Sequence, residues 1–427
     1  MREGKKMKIP SILLEHADFL EKKMQTRFPA LSPLAKQCFL NTIETTVKCC
    51  ENGDYFVITG DIPALWLRDS AAQLRPYLPF CKDSEELREI IRGVIRRHCF
   101  YVALDPYANA FNEKQTGSPH KKDKTDFYSD YIWERKYETD SLCASVYLAA
   151  DYDDAANDPS LFSPELHKML QTIIVTIRKE QHHNESSEYF FRREGASETD
   201  SMPLEGKGNP VGYTGMTWSG FRPSDDRCKY NYLIPANMMC VVAMRRAANL
   251  LRKGYGDEFY AGLAEKTAEE IEDGIRRFGI VKDPDGCDMY AYETDGLGNY
   301  LLMDDANSPS LLSLPYLGYC KKSDPLYLNT RKFLLSENNP YYHSGKAAAG
   351  IGSPHTKKDT IWHISIIMQI LTSEDEEEIE RCLHYLANTH AGTNFMHESF
   401  HMDDPTKYSR SWFAWANALF SQMLETL

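Results

Sequence analysis

Apolar residues recur at three- and four-residue intervals through most of this chain, the period of helices that bury one stripe. From Asp83 the segment DSEELREIIRGVIRRHCFYV puts Leu87, Ile90, Ile91, Val94, Ile95, Cys99 and Val102 on one face. Asp83 and Glu86 have the spacing of an N-cap and its N3 partner. Ser163-Pro164 opens a second helix, with Leu166, Met169, Leu170, Ile173, Ile174 and Ile177 on its buried side. Ser373 and Glu376 start a third, carrying Ile379, Cys382, Leu383 and Leu386. The same period predicts helices near 12–27, 32–51, 66–80, 138–152, 231–253, 256–278, 308–319, 325–336, 359–371 and 409–426. Strand-like patterns are brief: DYFVITG at 54–60, EYFFRRE at 188–194, and a hairpin in MYAYETDGLGNYLL at 289–302 turned at Gly296 and Gly298.

No Pro/Gly/Ser-rich linker divides the 427 residues, so a single domain over 1–427 is expected. The pattern does not repeat at 34 or 40 residues, which argues against a helical solenoid. About a dozen antiparallel helices in one all-α domain suit an (α/α)6 barrel, two concentric rings of six, with minor β-hairpins in the loops. Residues 104–137, 185–230, 280–307 and 338–358 form long irregular loops rich in Asp, Asn, Gly, Tyr and Trp. Loops of that length in a compact domain more often carry function than structure.

Composition narrows the function. Apolar residues make up 42%, enough for a large core and too many for a disordered chain. The formal charge of −13 argues against nucleic acid as a partner. No apolar run approaches the ~20 residues needed to span a bilayer. The opening MREGKKMKIPSILLEHADFLEKK has no signal-peptide core, because Glu15, His16 and Asp18 interrupt it. Eleven cysteines without a C-x-x-C spacing read as reduced thiols, and a soluble cytoplasmic protein is the expectation.

Chemistry-bearing residues cluster before predicted helices. In GDIPALWLRDS, Trp66, Arg68 and Asp69 stand near a helix start, with Asp61 just upstream. A planar ring stacks on a sugar face, while Arg and Asp pair with neighbouring hydroxyls. An Arg68–Asp69 ion pair beside a core tryptophan is the plainer reading of that segment alone. WERKYETD at 133–140, containing Glu138, repeats the mixture, as does TWSGFRPSDD at 217–226. Asp304-Asp305-Ala306-Asn307 and Trp362-His363 complete five such clusters. Polyhydroxylated ligands need many donors and acceptors on a rigid frame, which these clusters supply.

Four of these segments, GDIPALWLRDSAAQLRPYL, FRPSDD, DDANSPSLLSLPY and GTNFMHESF, together resemble glycoside hydrolase family 125, the bacterial exo-α-1,6-mannosidases. The resemblance runs from about residue 55 to the C-terminus. It implies an (α/α)6 enzyme that releases terminal α-1,6-linked mannose from N-glycan-derived mannosides, inverts the anomeric configuration, and uses no metal or other cofactor. Its general acid is an aspartate of FRPSDD, and its general base the glutamate of MHES. Here these are Asp225 and Glu398, with Asp226 the alternative acid or the cap of the next helix. The acid needs a raised pKa, and Asp226 is the neighbour expected to provide the like charge. Asp61, Trp66, Arg68, Asp69, Glu138, Asn307, His355 and His363 are the expected sugar contacts by position and chemistry.

Other readings compete. His397-Glu398-Ser399-Phe400-His401 fits the H-E-x-x-H of zinc peptidases. Asp404-Pro405 and Gly392-Thr393-Asn394 leave about ten residues for the helix that motif requires. A sugar epimerase or different glycosidase on the same fold, and a non-enzymatic helical scaffold, are the remaining alternatives.

Overall fold

Two kinds of helix alternate along the chain, and burial tells them apart. In the computed structural model, which describes residues 8–427, the helices Ser11–Arg27, Glu85–Leu104, Pro164–Glu180, Glu258–Phe278 and Glu376–Thr389 each bury one stripe. Leu67–Leu74, Thr139–Ala156, Ile234–Tyr255, His363–Thr372 and Ala414–Thr426 are buried around most of their circumference. A helix covered on all sides belongs to an inner layer. Thr139–Ala156 packs against both Leu67–Leu74 and Ile234–Tyr255, and Ala414–Thr426 against Leu67–Leu74 and His363–Thr372. The striped helices lie outside them, as Glu258–Phe278 does on Ile234–Tyr255. The protein is all-α in its main elements, with only short strands between them. None of its described helices is long and apolar enough to cross a membrane.

Most predicted helices form within a few residues of their expected ends, and the deviations have local causes. Ser84, not Asp83, caps Glu85–Leu104, its hydroxyl accepting from the Leu87 amide. Asp375 takes the cap expected of Ser373, whereas Ser163 caps Pro164–Glu180 as predicted. The helix expected over 32–51 stops at Thr45, and Val47–Cys49 pairs as a strand with Tyr55–Val57. The stretch 308–319 is not helical but a run of turns. Pro309 and Pro315 have no amide proton to give a helix, and buried Asp304 caps the turns by accepting from the amides of Leu311 and Leu312 at 2.9 and 3.0 Å. This segment packs into the inner layer, where Leu317 accepts the Tyr147 hydroxyl at 2.7 Å. The predicted hairpin is shorter than expected: Glu293–Thr294 pairs with Tyr300–Leu301, while Asp288–Tyr290 turns back onto Ile280–Lys282.

Three small sheets set the starting points of inner helices. Leu65–Trp66 pairs with Ala110–Phe111, which pairs with Ile132–Glu134. Thr360–Trp362 pairs with Ser399–His401, which pairs with Asp404–Ser409. Tyr232–Leu233 pairs with Glu293–Thr294. In each sheet one strand runs without a break into an inner helix. Strand pairing therefore fixes where the first turns of those helices point. Trp66, Trp362 and Phe413, each immediately before an inner helix, line one common cavity.

Candidate active site

Asp225 and Glu398, 173 residues apart in sequence, face the same cavity of about 330 Å³. Asp61, Trp66, Arg68, Asp69, Asn307 and His355 share its walls. That volume is within the range of small-molecule sites.

Asp225 reaches the cavity from a tight turn. The Arg222 amide donates to the Asp226 carbonyl at 2.8 Å, and the Asp225 amide to the Arg222 carbonyl at 2.9 Å. The loop thus closes at its base and projects its tip. Asp225 has φ 66°, a left-handed conformation that short polar residues tolerate better than others. Three contacts hold the turn. Arg222 pairs with buried Glu293 at 2.6 Å, Ser224 donates to Asp305 at 2.7 Å, and Lys136 donates to the Asp225 carbonyl at 2.8 Å. Asp226 points elsewhere and meets His355 at 3.2 Å.

Below the turn lies Arg68, buried and ringed by acids. Glu138 is 2.6 Å from it, Asp140 2.9 Å, Asp69 3.7 Å and Asp225 3.8 Å. The Trp415 ring lies 5.7 Å from the guanidinium carbon. Four carboxyls around one cation in a buried place cannot all be ionised at ordinary cost. Burial pushes Glu138 well above the usual carboxylate range; Arg68 opposes this, and Asp225 and Asp140 add to it. Burial also lifts Asp69 to about 6, against the pull of Arg68. On Asp225 burial again acts upward, but the Glu138 hydrogen bond and the charges of Lys136, Arg68 and His355 hold it down at about 2. The raised pKa expected of Asp225 through Asp226 is therefore not found: Asp225 is held low, and it is its buried neighbour Glu138 that is pushed up.

Glu398 lines the same cavity from a different part of the chain, one residue before the strand Ser399–His401. Pairing of Ser399 with Ser409 brings the Ser409 hydroxyl to Glu398 Oε2, to which it donates at 2.8 Å. Arg410 Nη1 lies 3.5 Å from Oε1. The other guanidinium nitrogen of Arg410 donates to the Thr59 carbonyl at 2.9 Å and pairs with Asp61. Arg410 thereby ties the base of GDIPALW to the strand that carries Glu398. Gly60, with φ 66° and the Trp412 ring 3.3 Å from where a Cβ would stand, makes the turn that delivers Asp61.

With this geometry in view, the likeness to known proteins is informative. A family described as metal-independent alpha-mannosidase (GH125) matches residues 29–425. The chain belongs to glycoside hydrolase family 125. A Streptococcus pneumoniae member of these metal-independent α-mannosidases, solved in a non-productive complex with α-1,6-mannobiose, is 41% identical; the match has a TM-score of 0.95 and covers 98% of each chain. The Meiotically up-regulated gene 157 protein of Schizosaccharomyces pombe is 39% identical over 424 residues, 94% of this chain and 83% of the relative. A bacterial glucoamylase bound to acarbose shares the fold at 12% identity, with a TM-score of 0.57 over 92% of this chain and 55% of its own.

Two of the expected sugar contacts of this family 125 α-mannosidase do not reach the cavity. His363 is fully buried, with Nδ1 against the backbone of His397 and Nε2 3.0 Å from Thr389 Oγ1. It begins an inner helix, so it points into the packed layer and braces the segment leading to Glu398. Glu138 lies beneath the cavity floor, 1% exposed, holding Arg68. Nor does Asp226 cap a helix, since the next one starts at Ile234. The H-E-x-x-H match is not a zinc site, because its residues run from a bend into a strand. Both ring nitrogens of His397 face backbone carbonyls, those of Arg410 and His390, at 3.0 and 3.2 Å. Trp218 likewise belongs to the core, stacked on His183 with ring centres 3.8 Å apart. Asn109, Ser409, Arg410, Phe413 and Trp415 escaped the sequence reading, whereas Lys136 lay inside the WERKYETD cluster it singled out.

Proposed function

We propose that this α-mannosidase removes terminal α-1,6-linked mannose from N-glycan-derived oligosaccharides, one residue at a time, with inversion at the anomeric carbon. The observation that carries this reading is the meeting of Asp225 and Glu398 across one cavity of about 330 Å³. A cavity of that size accommodates a single sugar together with a water. The relative solved with α-1,6-mannobiose supports the linkage.

Asp225 is the general acid and protonates the glycosidic oxygen. Glu398, kept in place by Ser409 and Arg410, is the general base and takes a proton from the attacking water. Water then enters on the face opposite the leaving group, which inverts the centre. Trp66, Asp69, Asn307 and His355 hold the sugar hydroxyls. Trp66 Nε1 and Asn307 Oδ1 are buried without a protein partner, as groups awaiting a ligand would be. Arg68, held by Glu138 and Asp140, sets the field around the acid. The two helical layers close into an (α/α)6 barrel, one domain with this cavity at its mouth. The cysteines of the described residues are all unpaired thiols, which suits a reducing compartment such as the cytoplasm.

Hydrolysis of α-1,6-, α-1,2- and α-1,3-mannobiose, with and without EDTA, tests the reading. The 1,6-linked disaccharide alone should be cleaved, at a rate EDTA does not change. Preference for another linkage, cleavage inside a longer chain, or loss of activity restored by a metal would each contradict it.

A further inference from the structure

Asn109 sits where three carboxyl groups meet. Its side-chain oxygen accepts the backbone N–H of Lys136 at 3.1 Å, which fixes the direction of the amide. Its nitrogen then faces Glu134 Oε2 at 3.2 Å, Glu138 Oε1 at 3.1 Å and Asp225 Oδ1 at 3.2 Å. An amide nitrogen carries two protons, so it cannot satisfy three carboxylates. Glu134 has its own cation, Arg193 at 2.8 Å. Glu138 Oε1 and Asp225 Oδ1 are left sharing the Asn109 amide nitrogen, and both carboxyls share the Arg68 guanidinium. Two carboxyls in such contact hold one proton between them. The second oxygen of Glu138 is saturated by Arg68 at 2.6 Å and the Ser141 hydroxyl at 2.7 Å, so its proton lies on the side of Asp225.

We propose that Glu138 stores the proton that Asp225 delivers to the leaving oxygen, and so acts as the positioning residue of the acid. The proposal rests on the reading of Asp225 as general acid. Before substrate binds, the proton belongs to Glu138. When a sugar excludes water, the Glu138 O–H bond breaks as an Asp225 O–H forms. Asp225 passes the proton to the glycosidic oxygen, which keeps the electron pair of its broken bond to C1. Water gives a pair to C1 and its proton to Glu398. The carboxyl pair ends one proton short and Glu398 one proton rich, and exchange with solvent restores both. The charged and titratable groups facing the pair are Arg68, Asp69, Glu134, Lys136, Asp140, Cys228 and His355, with Arg410 and Glu398 across the cavity.

The test is kcat/KM against pH for the full chain, for Glu138→Gln, Glu138→Asp and Asp225→Asn. Each is measured on α-1,6-mannobiose and on a dinitrophenyl α-mannoside, whose leaving group needs no proton. Glu138→Gln should lower the neutral-pH rate on the disaccharide about 100-fold and move the alkaline limb down by about one pH unit, while the aryl substrate stays within about threefold. Glu138→Asp keeps a carboxyl but draws it back from Asp225, so its limb should move in the same direction by less. An unmoved alkaline limb in either variant, or equal losses on both substrates, would overturn the proposal, the latter marking a merely structural role. Should Glu138→Gln fail to fold, Glu138→Asp decides alone. If Asp225→Asn cleaves the disaccharide at the full rate, it is the acid assignment that fails, whatever Glu138 does.

Discussion

Asp225 faces the cavity from a turn crowded with other acids, whereas Glu398 faces it from a strand edge beside a hydroxyl and a guanidinium. Around Asp225 the carboxyl groups outnumber the cations, and a proton stays in the site. Glu398 instead meets a hydroxyl donor, Ser409, and the Arg410 guanidinium. In the proposed mechanism these different surroundings go with opposite tasks for the two carboxyls, as acid–base pairs in hydrolases require. The lesson is that the second carboxyl beneath the acid, more than its neighbour in sequence, makes the difference.

The comparison breaks most visibly if each group loses its ability to move a proton. Asp225→Asn and Glu398→Gln should each reduce turnover of α-1,6-mannobiose by about 10³-fold, with unchanged circular dichroism. A good leaving group separates them: the dinitrophenyl substrate should relieve Asp225→Asn and not Glu398→Gln. Equal relief of both would erase the distinction between the walls. Arg410→Met should be the next largest effect. It removes the cation that ties Asp61 and Thr59 to Glu398, and a base displaced by about 1 Å costs on the order of 10²-fold in rate. A rate within twofold of the wild type would show that Ser409 suffices to hold Glu398.

The smallest effect sharpens the far side of the acid wall. His355, although burial acts the other way, is raised from 6.5 to about 9 by Asp226, with Asp225 and Glu398 adding to it. A histidine held above its unfolded value contributes stability that is full below about pH 6.5 and is lost as pH rises through about 9. His355→Asn should therefore lower Tm by a few degrees at pH 6 and by almost nothing at pH 10. A deficit that does not change with pH would mean that the Asp226 contact is not ionic.

The helices were legible because a buried stripe repeats within a single segment and needs no partner to be seen. Leu87 to Val102 and Leu166 to Ile177 form buried faces as their spacing predicts. The turns at 308–319 were misread because the apolar period there is real, but its prolines and the capping carboxylate of Asp304 decide the backbone. Asp225 and Glu398 were legible through their motifs. Asn109 and Arg410 were not, because each acts only through groups far away in sequence: Asn109 through Asp225, 116 residues on, and Arg410 through Asp61, 349 residues back. His363 was misread for the opposite reason. A histidine after a tryptophan looks like a ligand contact until the direct strand-to-helix junction turns it inward.

The opposition of Asp225 and Glu398 across one sugar is tested most directly by the anomer first released from α-1,6-mannobiose, followed by proton NMR before mutarotation. This account predicts β-mannose as the initial signal, with the α form growing in later. An initial α-mannose signal would mean that a carboxylate attacks the sugar itself, and would contradict the roles assigned to both walls.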